Sequence, residues 1–489
     1  MIVPGFVGPA YVDRSSNVNY SRCVNYYLEV DRLAKQPKAL YGTPGLTTKA
    51  TATQASVIRG MKTIGNVLYA VSGSKLYKYS TVYGETLIGT LNTSTGVVSM
   101  ADNLTQLMLV DGQDGYIVTL ATDAFAVISD ADFPATPTRV DFIDSYFIVN
   151  NSGTQDFYIS TLANGSSWDA LDTASKEGFP DDILSLIADH RELWLFGERS
   201  TEVWANTGNP DFPFERISGA FIEHGIAGAH CVTKADNSVF WLGADERGQG
   251  IIWRANGYSP VRVSTHAIET AIQGYSTISD CIAFTQQQDG HTFVWFTFPT
   301  ADVTWVYDAA ASADMGIPIW HQRAYTNPGD GVFKRHRANC YAFFNGEHIV
   351  GDHTNGKLYE LDLGVYADAG DTLTSLRGCP HIWDKKDQKR MFHHHLHIDI
   401  ESGVGLVSGT GSDPQIQLRW SDDGGHTWSS WHYADIGSFA AIGSVGEYKK
   451  RARWNRLGQA RDRIYETQTT DPVKRVIVGA TLHATVGAS

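Results

Sequence analysis

"VLYAVSGSKLYKYS" (Val67–Ser80) holds two short β-branched and aromatic runs, VLYAVS and KLYKYS, on either side of a turn centred on Gly73. Runs of this kind favour a pleated, half-buried backbone, and a glycine between them lets the chain reverse. The couplet then recurs. First runs begin at Val67, Leu107, Ser145, Glu192, Val239, Phe293 and His348, spaced by 40, 38, 47, 47, 54 and 55 residues. The second runs are KLYKYS, YIVTL, DFYIS, TEVWAN, IIWRAN, VTWVYD and KLYELD. Asp114-Gly115 and Asn355-Gly356 are dipeptides that allow tight strand reversal, because glycine accepts positive φ.

A period of about 40–50 residues with paired strands in each unit is the pattern of a β-propeller. A single unit cannot bury both faces of its sheet, so the units must stack around an axis. The spacing predicts six or seven blades over residues 50–363, after an N-terminal segment of residues 1–49. PDDILSLIADH (Pro180–His190) has some helical character, but its place at the third-to-fourth blade transition favours a strand. A turn-rich linker follows at residues 364–377. From Gly378 the runs lengthen and alternate: FHHHLHIDI, QIQLRW, RARWNRLG and KRVIVGATLHATV. Residues 378–489 therefore read as an antiparallel β-sandwich-like domain. The fold class is all-β.

With 489 residues the chain is long enough for two domains or more. The formal charge of −14 opposes non-specific binding to nucleic acid. The charge is uneven: from Leu376 onward there are 15 Lys+Arg against 12 Asp+Glu, so the excess acid lies before it. Cys23, Cys231, Cys281, Cys340 and Cys379 are scattered, odd in number and without a C-x-x-C pair, which predicts reduced thiols. MIVPGFVGPAYV has no basic leader and no sustained apolar core, and no run approaches the ~20 apolar residues of a membrane helix. The expectation is a soluble chain, made in a cytoplasm and not inserted into a membrane.

SDDGGHTWSS (Ser421–Ser430) contains an Asp-box: Ser421, Asp423, Gly425, Thr427 and Trp428. Enzymes of the sialidase type carry several such boxes on propeller blades, with an arginine triad and a Tyr–Glu pair. This chain has one box, in the other domain, so it reads as a structural turn with Asp423 capping backbone amides. In FHHHLHID (Phe392–Asp399), strict alternation would place His393, His395, His397 and Asp399 on one face. Those groups suit Zn²⁺ or Ni²⁺. A polar solvent or inter-subunit face is the alternative, and the expectation is no metal and no cofactor.

Asp181/Asp182, Asp245/Glu246 and Asp422/Asp423 are adjacent pairs that suit turn capping rather than acid–base catalysis. There is no G-x-S-x-G, P-loop or nucleotide fingerprint. No catalytic residue is assigned. The basic clusters are KRHR (Lys334–Arg337), KKDQKR (Lys385–Arg390) and YKKRARW (Tyr448–Trp454). In a chain otherwise acidic, they are expected to dock onto an acidic protein neighbour.

Three collinear stretches resemble one family. They are NVNYSRCVNYYLEVDRLAKQPKALYGTPGLTT (Asn17–Thr48), LWLFGERSTEVWANTGNPDFPFERISGAFIEHGIAGAHCV (Leu193–Val232) and WNRLGQARDR (Trp454–Arg463). The likeness is to the packaged-DNA stabilisation proteins, or tail hub (nozzle) proteins, of short-tailed bacteriophages, and it runs from about Asn17 to Thr485. The Asp-box and the histidine strand depart from that pattern. The resemblance implies a structural virion protein, located in the tail and assembled in the bacterial cytoplasm. It further implies a homohexameric ring below the portal–adaptor proteins that extends their DNA channel. A needle or plug would close the ring, and tailspikes or fibres would attach at its side. Such a ring retains the packaged genome, then passes double-stranded DNA without reading its sequence. Two other readings are a sialidase-like or sugar-binding propeller using exposed Trp428, Trp431 and Trp454, and a host-side adaptor for peptides.

Overall fold

In the computed structural model, which describes residues 1–34, 36–244, 250–438 and 446–488, the seven couplets form the second and third strands of seven four-stranded units. The first unit comprises Ile58–Ile64, Val67–Ser72, Lys75–Tyr79 and Glu85–Thr90, each antiparallel to the next. Five more follow over residues 99–127, 140–175, 183–222, 232–262 and 282–322. The strand Ile183–Asp189 opens the fourth, so PDDILSLIADH extends rather than coils. The seventh joins Ala338–Phe344, Glu347–Asp352 and Lys357–Asp362 to Gly45–Thr51 from the far end of the chain.

First strands of neighbouring units touch in a closed cycle, from Ile58–Ile64 against Ser99–Asp102 round to Ala338–Phe344 against Ile58–Ile64. The fold is thus a seven-bladed propeller whose last blade takes its outer strand from the N-terminal segment. The blades stack through apolar side chains: Val71 and Leu76 pack with Leu107, Leu109 and Val118, all fully buried. Each such side chain contributes about 1.5–3 kcal/mol on burial. Two short helices interrupt the pattern. His266–Gln273 starts where the Thr265 side chain accepts from the Ile268 amide, and Ala309–Met315 where Asp308 accepts from Ala311. Neither is long and apolar enough to cross a membrane.

The second domain is a β-sandwich built from both ends of the chain. One sheet runs in the order Tyr26–Val30, Lys38–Gly42, Val476–Val486, Met391–Ile400 and Ala452–Asn455. The other runs Cys23–Val24, Ser375–Gly378, Asp462–Thr469, Gln415–Ser421 and His432–Asp435. Leu28, Leu40, Leu396, Ile398, Ile416, Leu418 and Ile477 fill the space between them. The first residue lies against this domain too, its ammonium donating to the Leu482 carbonyl at 2.6 Å. The second sheet continues into blade six through the parallel pair of Val24 with Gln322.

Buried polar groups fasten these distant pieces. Asn25 donates to the Ala324 and Thr374 carbonyls at 2.9 and 2.7 Å and accepts from the Ala324 amide at 2.8 Å. The Arg377 guanidinium donates to the carbonyls of Gly5, Phe6, Pro9 and Arg22 at 2.7–3.1 Å. Cation-to-carbonyl bonds made away from water are worth more than exposed ones, since their loss strands several acceptors.

Candidate functional site

The Asp-box closes the hairpin between Gln415–Ser421 and His432–Asp435. Ser421 Oγ accepts the Gly425 amide at 2.8 Å and donates to Asp423 Oδ1 at 2.7 Å. Asp423 also accepts the Thr427 amide at 2.8 Å and the Thr427 hydroxyl at 2.6 Å. These donors hold its carboxyl well below the usual carboxylate range. Gly424 and Gly425 sit at φ of 71° and 95°, a region that favours glycine. All of the carboxylate's partners within the box are turn atoms, which leaves it satisfied.

The tryptophans beside it are engaged as well. Trp428 and Trp431 each lie 4.5 Å from the Arg419 guanidinium carbon, and Arg419 Nε donates to buried Glu466 at 2.7 Å. Trp454, expected to be exposed, is buried and donates to the His432 carbonyl at 2.9 Å. The reason is the alternation of Ala452–Asn455: Ala452 and Trp454 face the core, while Arg451, Arg453 and Asn455 face out. A flat sugar-stacking platform does not arise from these three rings.

The histidine strand differs from strict alternation. Pairing between Met391–Ile400 and Val476–Val486 slips at His394, where two residues oppose one. This β-bulge turns His393 inward. His393 is 2 % exposed and its Nδ1 meets the Tyr465 hydroxyl at 2.8 Å. Burial, with Arg463 nearby, pushes its pKa down to about 4. His395, His397 and Asp399 stay on the outer face, half-buried. The third imidazole there is His483, directly opposite His395. The sequence carried a signal for it: in TLHATV, His483 occupies an outward position between inward Leu482 and Ala484, a polar residue aligned with the other histidines.

Asp181, Asp422 and the KRHR cluster also find internal uses. Asp181 is buried and accepts from the Ser200 amide and hydroxyl and from the Arg199 amide. Asp422 binds the Arg463 guanidinium at 2.5 and 2.7 Å. Asp245 and Glu246 lie outside the described residues. KRHR is not a docking surface: Lys334 pairs with Asp302, and Arg337 meets Asp352, Asp368 and Asp371. Burial raises the Asp368 pKa to about 7 against the pull of Arg337. Lys385, Lys386 and Arg390, and Lys449, Arg451 and Arg453, remain exposed on the sandwich.

The propeller axis is narrow. Its inner strands enclose about 280 Å³, lined by residues of all seven blades, among them Arg59, Lys62, Arg139, His230 and Lys234. Arg59 is spent on carbonyls of Gly73, Thr93, Thr95 and Gly96. Lys62 and Lys234 face Asp102 and Asp141. His230 is half-buried beside Arg139, and desolvation followed by that charge lowers its pKa to about 3. Arg59, Lys62 and Lys234 are thus held by acceptors of the propeller itself, beside a neutral imidazole.

Comparison with known proteins follows the same two-domain division. Residues 6–366 match the family described as Bacteriophage P22 Gp10, beta-propeller, and residues 381–485 the one described as Bacteriophage P22 Gp10, beta-sandwich. The tail hub protein gp10 of Salmonella phage P22 is 24% identical over 459 residues, covering 89% of this chain and 90% of that protein. Among solved structures, the extracellular domain of a putative one component system from B. thetaiotaomicron aligns with a TM-score of 0.44 at 9% identity. That alignment covers 64% of this chain and 39% of the other. The N-terminal domain of Nup159 aligns with a TM-score of 0.42 at 9% identity, covering 70% and 99%.

Proposed function

The chain belongs to the bacteriophage P22 Gp10 family in both its propeller and its sandwich, and from that premise we propose that it is a tail hub of a phage virion, a structural part that works by assembly. The observation that carries this reading is the collinear match of both domains, together with a tail hub relative aligned over 90% of its length. Copies form a homohexameric ring beneath the portal–adaptor complex. A needle or plug closes it, and spikes or fibres attach at its side. The ring retains the packaged genome and opens to release it into the host.

Three physical features support the proposal. The cavity on the propeller axis, at about 280 Å³, equals a cube roughly 6.5 Å on a side, whereas the major groove of a duplex is itself ~12 Å wide. DNA therefore needs a path between copies, which a ring supplies. The acid concentrated before Leu376 repels phosphate, so a wall made from it does not hold DNA. The basic outer edge of the sandwich, with Arg451 and Arg453, complements acidic surface on a neighbouring copy or tail protein.

Electron cryomicroscopy of mature particles tests the assembly. A six-fold ring of this chain under the portal is the expected image. Particles that lack the chain yet keep their DNA would overturn the reading. The same reading assigns no catalysis, so purified chain should leave aryl glycosides uncleaved above the buffer rate. Enzymic turnover would replace the structural role with the sialidase-like one.

A further inference from the structure

His395, His397 and His483 stand on the outer face of the sandwich sheet that holds the chain's last strand. His395 and His397 are two residues apart on Met391–Ile400, and His483 sits across from His395 on Val476–Val486. One ligand-capable nitrogen from each lies within 4.8 Å of the other two. The His395 and His483 rings stack at 4.0 Å between centroids, and His397 lies 6.3 Å from both. Among the described residues these three rings contact one another and hold no hydrogen bond to a further group. That differs from the neighbouring histidines, His393 on Tyr465 and His394 on Thr485.

We propose that His395, His397 and His483 form a binding site for a divalent transition cation of the Zn²⁺ class. Nothing in the tail hub reading requires it. Zinc bound to imidazole has Zn–N distances of about 2.0–2.1 Å, so nitrogens of a tetrahedral site lie roughly 3.3 Å apart. The nitrogens already lie within 4.8 Å of one another, and because His395 and His397 are only half-buried and His483 is exposed, the remaining approach calls on side-chain rotation. Two ligands two apart on one strand and a third directly opposite make a triangle that the pleat itself spaces. The strand bulge is what sets it. Without the slip at His394, His393 and His395 would share a face and His483 would oppose a different residue.

Charge around the site bears on what completes it. Arg451 and Arg453 flank the rings, and Asp399 is the acidic group on the same face. With two fixed cations beside it, the fourth, outward position favours an anionic donor: hydroxide, chloride or a carboxylate. A cation held this way ties the C-terminal strand to the strand beginning at Met391, and it stabilises the folded sandwich by binding that state alone.

The test uses the full chain, untagged, purified without an immobilised-metal column and stripped with chelator. After dialysis against zinc, plasma mass spectrometry should find one zinc per chain. Cobalt in its place should give the strong visible bands of a tetrahedral site. His395→Ala, His397→Ala and His483→Ala should each weaken zinc binding at least ~100-fold, beyond the 10–100-fold typical of losing an outer partner. His394→Ala should bind as the parent does. Zinc should raise the parent's melting temperature and leave that of His483→Ala unchanged, while all variants melt cooperatively. Substoichiometric zinc in the parent would overturn the proposal. So would zinc retained by the triple variant, or affinity lost on His394→Ala and kept on His483→Ala.

Discussion

Arg59 and Arg377 are the same chemical device in two regions of the molecule. Each is about 1 % exposed or less, and each spends its guanidinium on backbone carbonyls rather than on a carboxylate. Arg59 reaches Gly73 and Gly96, at most 37 residues away, and so ties blade one to the turn leading into blade two. Arg377 reaches Gly5, 372 residues away, and pins the start of the chain into the sandwich. Six blades of the propeller are local closures and only the seventh is closed from afar, by Gly45–Thr51; the sandwich is one long closure repeated several times. Loop-closure entropy grows slowly with length, but long-range pairings must wait for the chain ends to meet. The first six blades are therefore expected to form first and to present the surface on which the seventh blade and the sandwich complete.

The largest expected effect follows directly. Arg377→Leu strands the Gly5, Phe6 and Pro9 carbonyls, while that of Arg22 keeps the Gly378 amide at 3.0 Å, and should cost about 3 kcal/mol, given roughly 1–3 kcal/mol for each buried acceptor left unpaired and partial rescue by water. Limited proteolysis should then cut within residues 1–22 while the propeller stays intact. Arg59→Leu should be comparable in size but should open blade one and leave the first 22 residues protected. Denaturant titration with proteolytic mapping checks both. Identical fragment patterns for the two variants would break the contrast between local and long-range closure.

A smaller effect is expected at the joint between the regions. His291 in blade six lies between Asp308 of its own blade, at 2.7 Å, and Glu29 of the sandwich, at 2.9 Å. Burial alone would lower its pKa, but the hydrogen bonds and charge of Asp308 and Glu29 outweigh this and raise it to about 9. Because the folded value is above the ordinary 6.5, the contribution is complete below about pH 6.5 and is lost as pH rises through about 9. The denaturation midpoint should fall between neutral pH and about pH 10, and less so in His291→Gln. Glu29→Gln should shrink the fall while keeping the Asp308 bond, which identifies the component that crosses the joint.

The same contrast explains what could be read in the residues. Every couplet of the propeller was visible because a blade is a local meander: its alternation and turn glycines lie within a few tens of residues. The closing strand Gly45–Thr51 was not, since nothing local says that it pairs with Lys357–Asp362. Likewise Tyr26–Val30 and Lys38–Gly42 alternate well enough for strands but give no hint of joining the last strand. The KRHR cluster looked like a surface because its acids, Asp302, Asp352, Asp368 and Asp371, are scattered in sequence and meet it only through blade packing. His393 was placed on the wrong face for a related reason. A bulge is set by the register of two strands, and a period-2 pattern read along one strand cannot contain it.

The Asp-box offers the finest test of the division, because it is a local closure inside the long-range domain. Ser421 is buried and holds the Gly425 amide and one oxygen of Asp423. Ser421→Ala removes both bonds but spares those from Thr427, and the vacated amide lies near the surface, where water can replace the hydroxyl. The cost should be about 1 kcal/mol, the worth of an ordinary net hydrogen bond. It should appear only in the sandwich's unfolding and leave protection of residues 1–22 unchanged, because the turn can be remade without moving the N-terminal strands. If this substitution instead released the N-terminal segment as Arg377→Leu is expected to, the hairpin would be a step in assembling the long closure. Asn17, which packs against Gly424, would then be the contact through which a single turn governs the register of both chain ends.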